Sequence, residues 1–95
     1  MYTIYVIYKS FSGKREAFIE RVKAEGIADA VREESGCVRY DYYLSEKDPD
    51  EILLIEAWET KEHQQIHVEQ PHMARFKKFK PDYIETTALG EFKIV

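Results

Sequence analysis

Cysteine is nearly missing from this sequence. A lone Cys37 can close no internal disulfide and supply no Cys-pair metal site, which excludes dithiol redox chemistry and suits a reducing compartment. No apolar run approaches the roughly 20 residues needed to cross a bilayer. The start, Met1-Tyr2-Thr3-Ile4, lacks the basic residues and small-residue cleavage site of a secretory signal, so the expected location is the cytoplasm, with no membrane partner. An excess of positive charge is missing too. The formal net charge is −4 and the pI about 5.4, which argues against nucleic acid as a partner of the whole domain. The one basic stretch, Arg75-Phe76-Lys77-Lys78-Phe79-Lys80, places Phe76 and Phe79 three apart on one helix face, with the lysines around a solvated remainder. Repeats, linkers and low-complexity tracts are absent, so residues 1–95 are expected to form a single domain.

What is present is apolar and aromatic. Hydrophobic residues make up 44% of the chain and aromatics 14%, enough for a core in a domain of this length. Tyr2 to Lys9 is β-branched and aromatic on both faces and reads as a strand closed by Ser10-Phe11-Ser12-Gly13. Lys14 to about Glu34 favours helix, but its apolar stripe comes in two phases: Phe18 and Val22, then Ala24, Ile27, Ala28 and Val31. Gly26 sits at the change of phase, which predicts a kink there. Ser35-Gly36 ends the helix.

A second strand follows, with Val38, Tyr40, Tyr42 and Leu44 alternating against Arg39, Asp41, Tyr43 and Ser45. After the turn cluster Glu46-Lys47-Asp48-Pro49-Asp50, Glu51 to Glu59 gives a third strand that is apolar on both sides. Thr60 is a suitable N-cap for a helix to about Gln70, Pro71 opens another through Phe79, and Pro81 stops it. Tyr83 to Val95 reads as a fourth strand, with Gly90 marking a bulge or break. The order β-α-β-β-α-α-β is the split βαβ arrangement of an α+β, ferredoxin-like domain, an antiparallel sheet with helices on one face. Helices can cover only one face of strands that are apolar on both, so a second copy of the sheet is expected to cover the other, and the working unit is a homodimer.

Three stretches resemble one family. Glu34-Ser35-Gly36-Cys37-Val38-Arg39-Tyr40, Glu56-Ala57-Trp58-Glu59 and His67-Val68-Glu69-Gln70-Pro71-His72-Met73 resemble, in order and spacing, the E-x-G-C-x-x-Y, E-x-W and H-x-x-x-P-H-F motifs of the antibiotic-biosynthesis monooxygenase (ABM) domains. The resemblance implies a dimeric α/β barrel with a pocket between sheet and helices. Characterised relatives oxidise quinols or polyphenols with molecular oxygen and no metal or organic cofactor, while others degrade haem or isomerise small metabolites. Where haem-degrading relatives carry an axial histidine, this chain has Lys77. The leading expectation is therefore a cofactor-free monooxygenase acting on a small aromatic hydroquinone or polyphenol. The alternatives are an isomerase of a small carbonyl compound and a non-catalytic ligand-binding or stress-response dimer.

Such chemistry needs a base that makes an electron-rich phenolate in a dry cavity, and histidine suits that task. His67 is the first candidate base, at a position that faces the pocket in the family. His72 is the second, although its spacing of five from His67 points the two apart if the helix continues. Trp58 is either a pocket wall for a planar ring or an ordinary core residue. Glu56 must find a partner if buried, and is then either a structural acceptor or a base of raised pKa. Tyr40 and Tyr42 share a strand face that either orients a substrate phenol or packs in the dimer. His63 and His67 share a helix face, but no third ligand accompanies them at a metal-site spacing, so no metal is expected.

Overall fold

The computed structural model describes residues 1–92. Strands β1 (Tyr2–Ser10), β2 (Cys37–Leu44), β3 (Glu51–Trp58) and β4 (Ile84–Glu91) form one sheet in the order β2-β3-β1-β4. Every neighbouring pair is antiparallel. Helices α1 (Arg15–Ala24), α2 (Ile27–Arg32), α3 (Lys61–His67) and α4 (Pro71–Phe79) cover one face, and a 3₁₀ turn at Lys80–Asp82 leads into β4. This is the ferredoxin-like fold. The expected fourth strand began at Tyr83 and ran to Val95; its last part, residues 93–95, lies outside the described residues.

Strand register decides which side chains meet the helices. Ile4, Val6 and Tyr8 of β1 stand opposite Glu56, Leu54 and Ile52 of β3, which stand opposite Tyr40, Tyr42 and Leu44 of β2. These residues face the helices and, apart from Ile4, Glu56 and the edge residues Tyr42 and Leu44, pack with Phe18, Val22, Ile27, Val31, Met73, Phe76 and Phe79 into the buried core. The strand-two tyrosines therefore lie on the helix side. On the opposite face Tyr5 pairs with Ile55, and Ile7 and Tyr43 flank Leu53, so an apolar patch faces away from every helix. All five keep part of their surface in water.

The two-phase stripe before β2 is resolved more sharply than by a kink. Gly26 adopts a left-handed conformation with φ 65° and divides the segment into two separate helices. The spacing explains this. Phe18 and Val22 are buried on α1, and Ile27 and Val31 on α2; the step of five from Val22 to Ile27 would rotate the second pair off the buried stripe of one continuous helix. A bulge between Cys37 and Arg39 likewise corrects the expected alternation of β2. It returns Cys37 to the core side and leaves Val38 52% exposed.

Two further expectations shift at their boundaries. Helix α3 is capped by the Thr60 hydroxyl, which accepts from the His63 N–H at 3.2 Å, but it ends at His67 rather than near Gln70. Gly90 neither bulges nor breaks β4; it pairs in register with Tyr5. The Tyr5 ring crosses it, and a Cβ there would lie 2.7 Å from the hydroxyl oxygen, so a larger residue would make the end of the tyrosine shift.

Gly36, between α2 and β2, carries a double constraint. Its φ is +82°, and a Cβ there would lie 2.3 Å from the His63 ring. Gly36→Ala is expected to cost about 2 to 4 kcal/mol, combining left-handed strain with displacement of His63 from its cap. Gly13→Ala, at φ +76° in open space, should cost only about 1 kcal/mol. Denaturant unfolding of the two variants checks this, and equal losses would contradict it.

Candidate active site

His67 is the residue around which the helix side of the sheet is organised. The last turn of α3 carries it inward, where it is 1% exposed, with its ring centroid 4.7 Å from that of Trp58 and 5.7 Å from that of Tyr40. Burial follows from Trp58 and Tyr40, whose rings leave one slot, and from a polar partner that the sequence reading did not assign. That partner is Glu34, in the turn between α2 and β2. His67 Nδ1–H donates to Glu34 Oε2 at 2.8 Å, and His72 Nε2–H donates to the same oxygen at 2.7 Å.

A spacing of five would point the two histidines apart on one continuous helix; the break before Pro71 lets them converge. After His67 the chain turns through Ile66–Glu69 and His67–Gln70 backbone hydrogen bonds of 3.1 Å, and Pro71 starts α4 in a new direction. His72, its second residue, comes back over Glu34. His63 takes no part. Its Nδ1 lies 2.7 Å from the Thr60 hydroxyl.

With Nδ1–H committed to Glu34, the lone pair of His67 resides on Nε2. That atom lies 3.9 Å from Glu56 Oε1, which accepts a hydrogen bond from the Trp58 indole N–H at 3.1 Å. Burial pushes the Glu56 carboxyl above its ordinary value, while the Trp58 hydrogen bond and the neighbouring His67 ring pull it back and Glu34 adds to the rise. Burial raises Tyr40 and Tyr8 well above the ordinary phenol value, so both remain neutral phenols in neutral solution. Neither is a base.

A cavity of about 360 Å³ opens between β1, β4, α3 and α4, and His67, Glu56 and Tyr40 lie on its wall. Ile4, Val6, Met73, Phe76 and Leu89 make most of the rest apolar. Lys80, whose ammonium stands 5.1 Å over the Tyr8 ring, also borders it. Partial burial lowers the Lys80 pKa.

Three expected site residues fall elsewhere. Trp58 is fully buried and is not on the cavity wall; it packs against the His67 ring instead. His72 is likewise absent from the wall and touches the site through Glu34. Tyr42 borders a different groove, between α1, α2 and the edge of β2, and its buried hydroxyl makes no hydrogen bond. Glu34 and Lys80 were missed. Glu34 had a signal, since it opens the Glu34-Ser35-Gly36-Cys37 motif, whereas Lys80 sits in a stretch that reads as solvated surface.

A four-stranded antiparallel sheet with a buried acid–histidine group between it and its helices defines a ferredoxin-like domain with an enclosed polar site. The chain belongs to the antibiotic biosynthesis monooxygenase (ABM) family, whose model matches residues 1–78. The solved structure of "Putative antibiotic biosynthesis monooxygenase from Nitrosomonas europaea" is similar with a TM-score of 0.88 and 25% identity, covering 100% of this chain and 99% of that one. A Pseudomonas aeruginosa protein shares the fold at a TM-score of 0.87 and 20% identity, covering 99% and 93%. An uncharacterized Synechocystis protein is 28% identical over 81 residues, 85% of this chain and 52% of that protein. The chain thus spans about half the length of the curated relative it matches. Among the described residues no helix is long and apolar enough to cross a membrane.

The raised pKa of Glu56 has a defined sign in stability. Its folded value lies above its unfolded one, so native Glu56 costs nothing extra while protonated, and the wild type loses stability as pH rises from about 4.5 to the raised value. Glu56→Gln keeps an acceptor for Trp58 and removes the charge. Its stability relative to wild type should therefore increase across that window and then level off. Urea unfolding at pH 4 and pH 8, with chelator present, checks this; a difference that is independent of pH would contradict it.

Proposed function

We propose that this domain is a cofactor-independent monooxygenase that oxidises a small hydroquinone or polyphenol with molecular oxygen. The observation that carries the reading is a buried histidine whose Nδ1 is fixed by Glu34 and which lies on the wall of a mostly apolar cavity, its Nε2 3.9 Å from Glu56 of the same wall. A base held in one tautomer and shielded from water is what phenol deprotonation requires. Family membership supports the same class.

In the proposed reaction the substrate hydroxyl transfers its proton to His67 Nε2. Glu34 stabilises the resulting imidazolium through Nδ1–H, as the carboxylate of a catalytic triad does. The phenolate passes an electron to oxygen, and the two recombine as a carbon–oxygen bond to give a hydroperoxide. Loss of the ring proton with cleavage of the O–O bond releases water and leaves a carbonyl. A hydroquinone plus O₂ thus becomes a hydroxyquinone plus H₂O, with no external reductant. Apolar walls favour this sequence by keeping the charged intermediate away from bulk water, and Tyr40 contributes a neutral aromatic wall.

The test is oxygen uptake by metal-stripped protein with a panel of hydroquinones. His67→Gln, which keeps a donor for Glu34 and loses the basic nitrogen, should lower kcat by about 10²- to 10⁴-fold, with the fold retained by circular dichroism. Unchanged uptake in that variant would remove His67 as the base. No uptake with any substrate would put the ligand-binding reading in front.

The working unit in this proposal is a cytoplasmic homodimer in which two sheets pack through Tyr5, Ile7, Tyr43, Leu53 and Ile55. Burying such side chains contributes about 1.5 to 3 kcal/mol each. Light scattering should give twice the chain mass, and Ile55→Lys should shift it toward one. A well-folded wild-type monomer at micromolar concentration would overturn the assembly.

A further inference from the structure

We propose that Glu34, His67 and His72 form a binding site for a divalent zinc-type cation, and that occupying it disables the base. Their ligand atoms, Glu34 Oε2, His67 Nδ1 and His72 Nε2, all lie within 4.8 Å of one another. Two imidazoles and a carboxylate are the donor set that zinc takes in three-ligand sites, with a fourth position left for water. At bond lengths of about 2.0 to 2.1 Å, tetrahedral donors stand roughly 3.3 Å apart. The Glu34 oxygen, now 2.7 and 2.8 Å from the two nitrogens, needs to open by only about half an ångström, and the cation replaces the two hydrogen bonds it breaks.

The surroundings suit such a site. Each ligand comes from a different segment, and His67 is fixed by Trp58 and Tyr40 before any cation arrives. The His72 and Glu34 side chains are 14% and 10% exposed, which leaves a path from solvent. Glu56 stands 3.9 Å from the other nitrogen of His67, the place of the carboxylate that orients a metal-bound histidine. Spacing along one helix face pairs His67 with His63 and not with this set, because Glu34 is 33 residues away and the turn at Pro71 redirects His72.

Occupancy changes the chemistry at the cavity. A cation on Nδ1 displaces the proton there, so the neutral ring carries its remaining proton on Nε2, directed toward Glu56. The lone pair that would accept a substrate proton is gone. Zinc is therefore an inhibitor of the proposed reaction; that effect rests on the oxygenase reading, while the site itself does not.

Titration calorimetry of the metal-stripped full chain with zinc chloride should show one equivalent per chain. His63→Ala should leave that binding intact, Glu56→Gln should weaken it about 10- to 100-fold, and His72→Gln, which retains a donor for Glu34, should abolish the stoichiometric step. Glu34→Gln gives a second ligand deletion, and melting curves establish that each variant is folded. Absence of saturable zinc binding, or its survival in folded His72→Gln and Glu34→Gln, overturns the site. With an active substrate, one equivalent of zinc should suppress oxygen uptake and a chelator should restore it; full uptake with zinc bound overturns the disabling of the base. A metal-free protein that consumes no oxygen counts against the oxygenase reading alone.

Discussion

One carboxylate oxygen ties the helix side of this domain together. Glu34 Oε2 takes a hydrogen bond from each of two histidines on successive helices, and the three residues come from the α2–β2 turn, the end of α3 and the start of α4. A buried carboxylate is costly unless its oxygens are satisfied. Its partners are therefore constrained as much as it is. Fixing His67 Nδ1 fixes the tautomer, and the tautomer decides which nitrogen can serve the cavity. Gly36 belongs to the same constraint, since it allows the chain to leave Glu34 and enter β2 beneath His63.

The second carboxylate has the opposite character. Glu34 receives two donors from rings, whereas Glu56 receives one indole N–H and is pushed toward its neutral form by burial. Two acids on either side of one imidazole thus differ in their hydrogen-bond partners, rings for one and an indole for the other. Trp58 contributes to both. Its ring packs on His67, and its N–H steadies Glu56, which explains why a large aromatic residue beside the cavity contributes without lining it.

The fold was legible where periodicity carried it. Alternation placed the strands, Thr60 and Pro71 marked two helix starts, and the phase change at Gly26 marked a discontinuity. Its depth was not legible, because a kink and a full break produce the same stripe until a left-handed glycine is seen. The Val38 bulge was invisible for a similar reason: the apolar residue fits the alternation, and only pairing with β3 reveals the extra position. In the site, His67 and Glu56 could be named from residue type and family resemblance. The joining of His67 to His72 depended on a turn of direction at Pro71, and Glu34 on a contact between distant segments, neither of which local spacing encodes. Tyr42 was misplaced because two residues on one strand face need not border one cavity.

The place of β4 beside β1 has a consequence for how the cavity comes into being. The strand pairs across the full length of the domain, and Thr87 and Leu89 supply one wall. Pairing at such sequence separation is slow, because a long loop must close before any contact rewards it. The α2–β2–β3–α3 portion can assemble from nearer neighbours and bring Glu34 toward His67 early. The cavity beside them has to wait for the last strand, so a partly folded chain can hold the acid–histidine cluster before it has a cavity for that cluster to border.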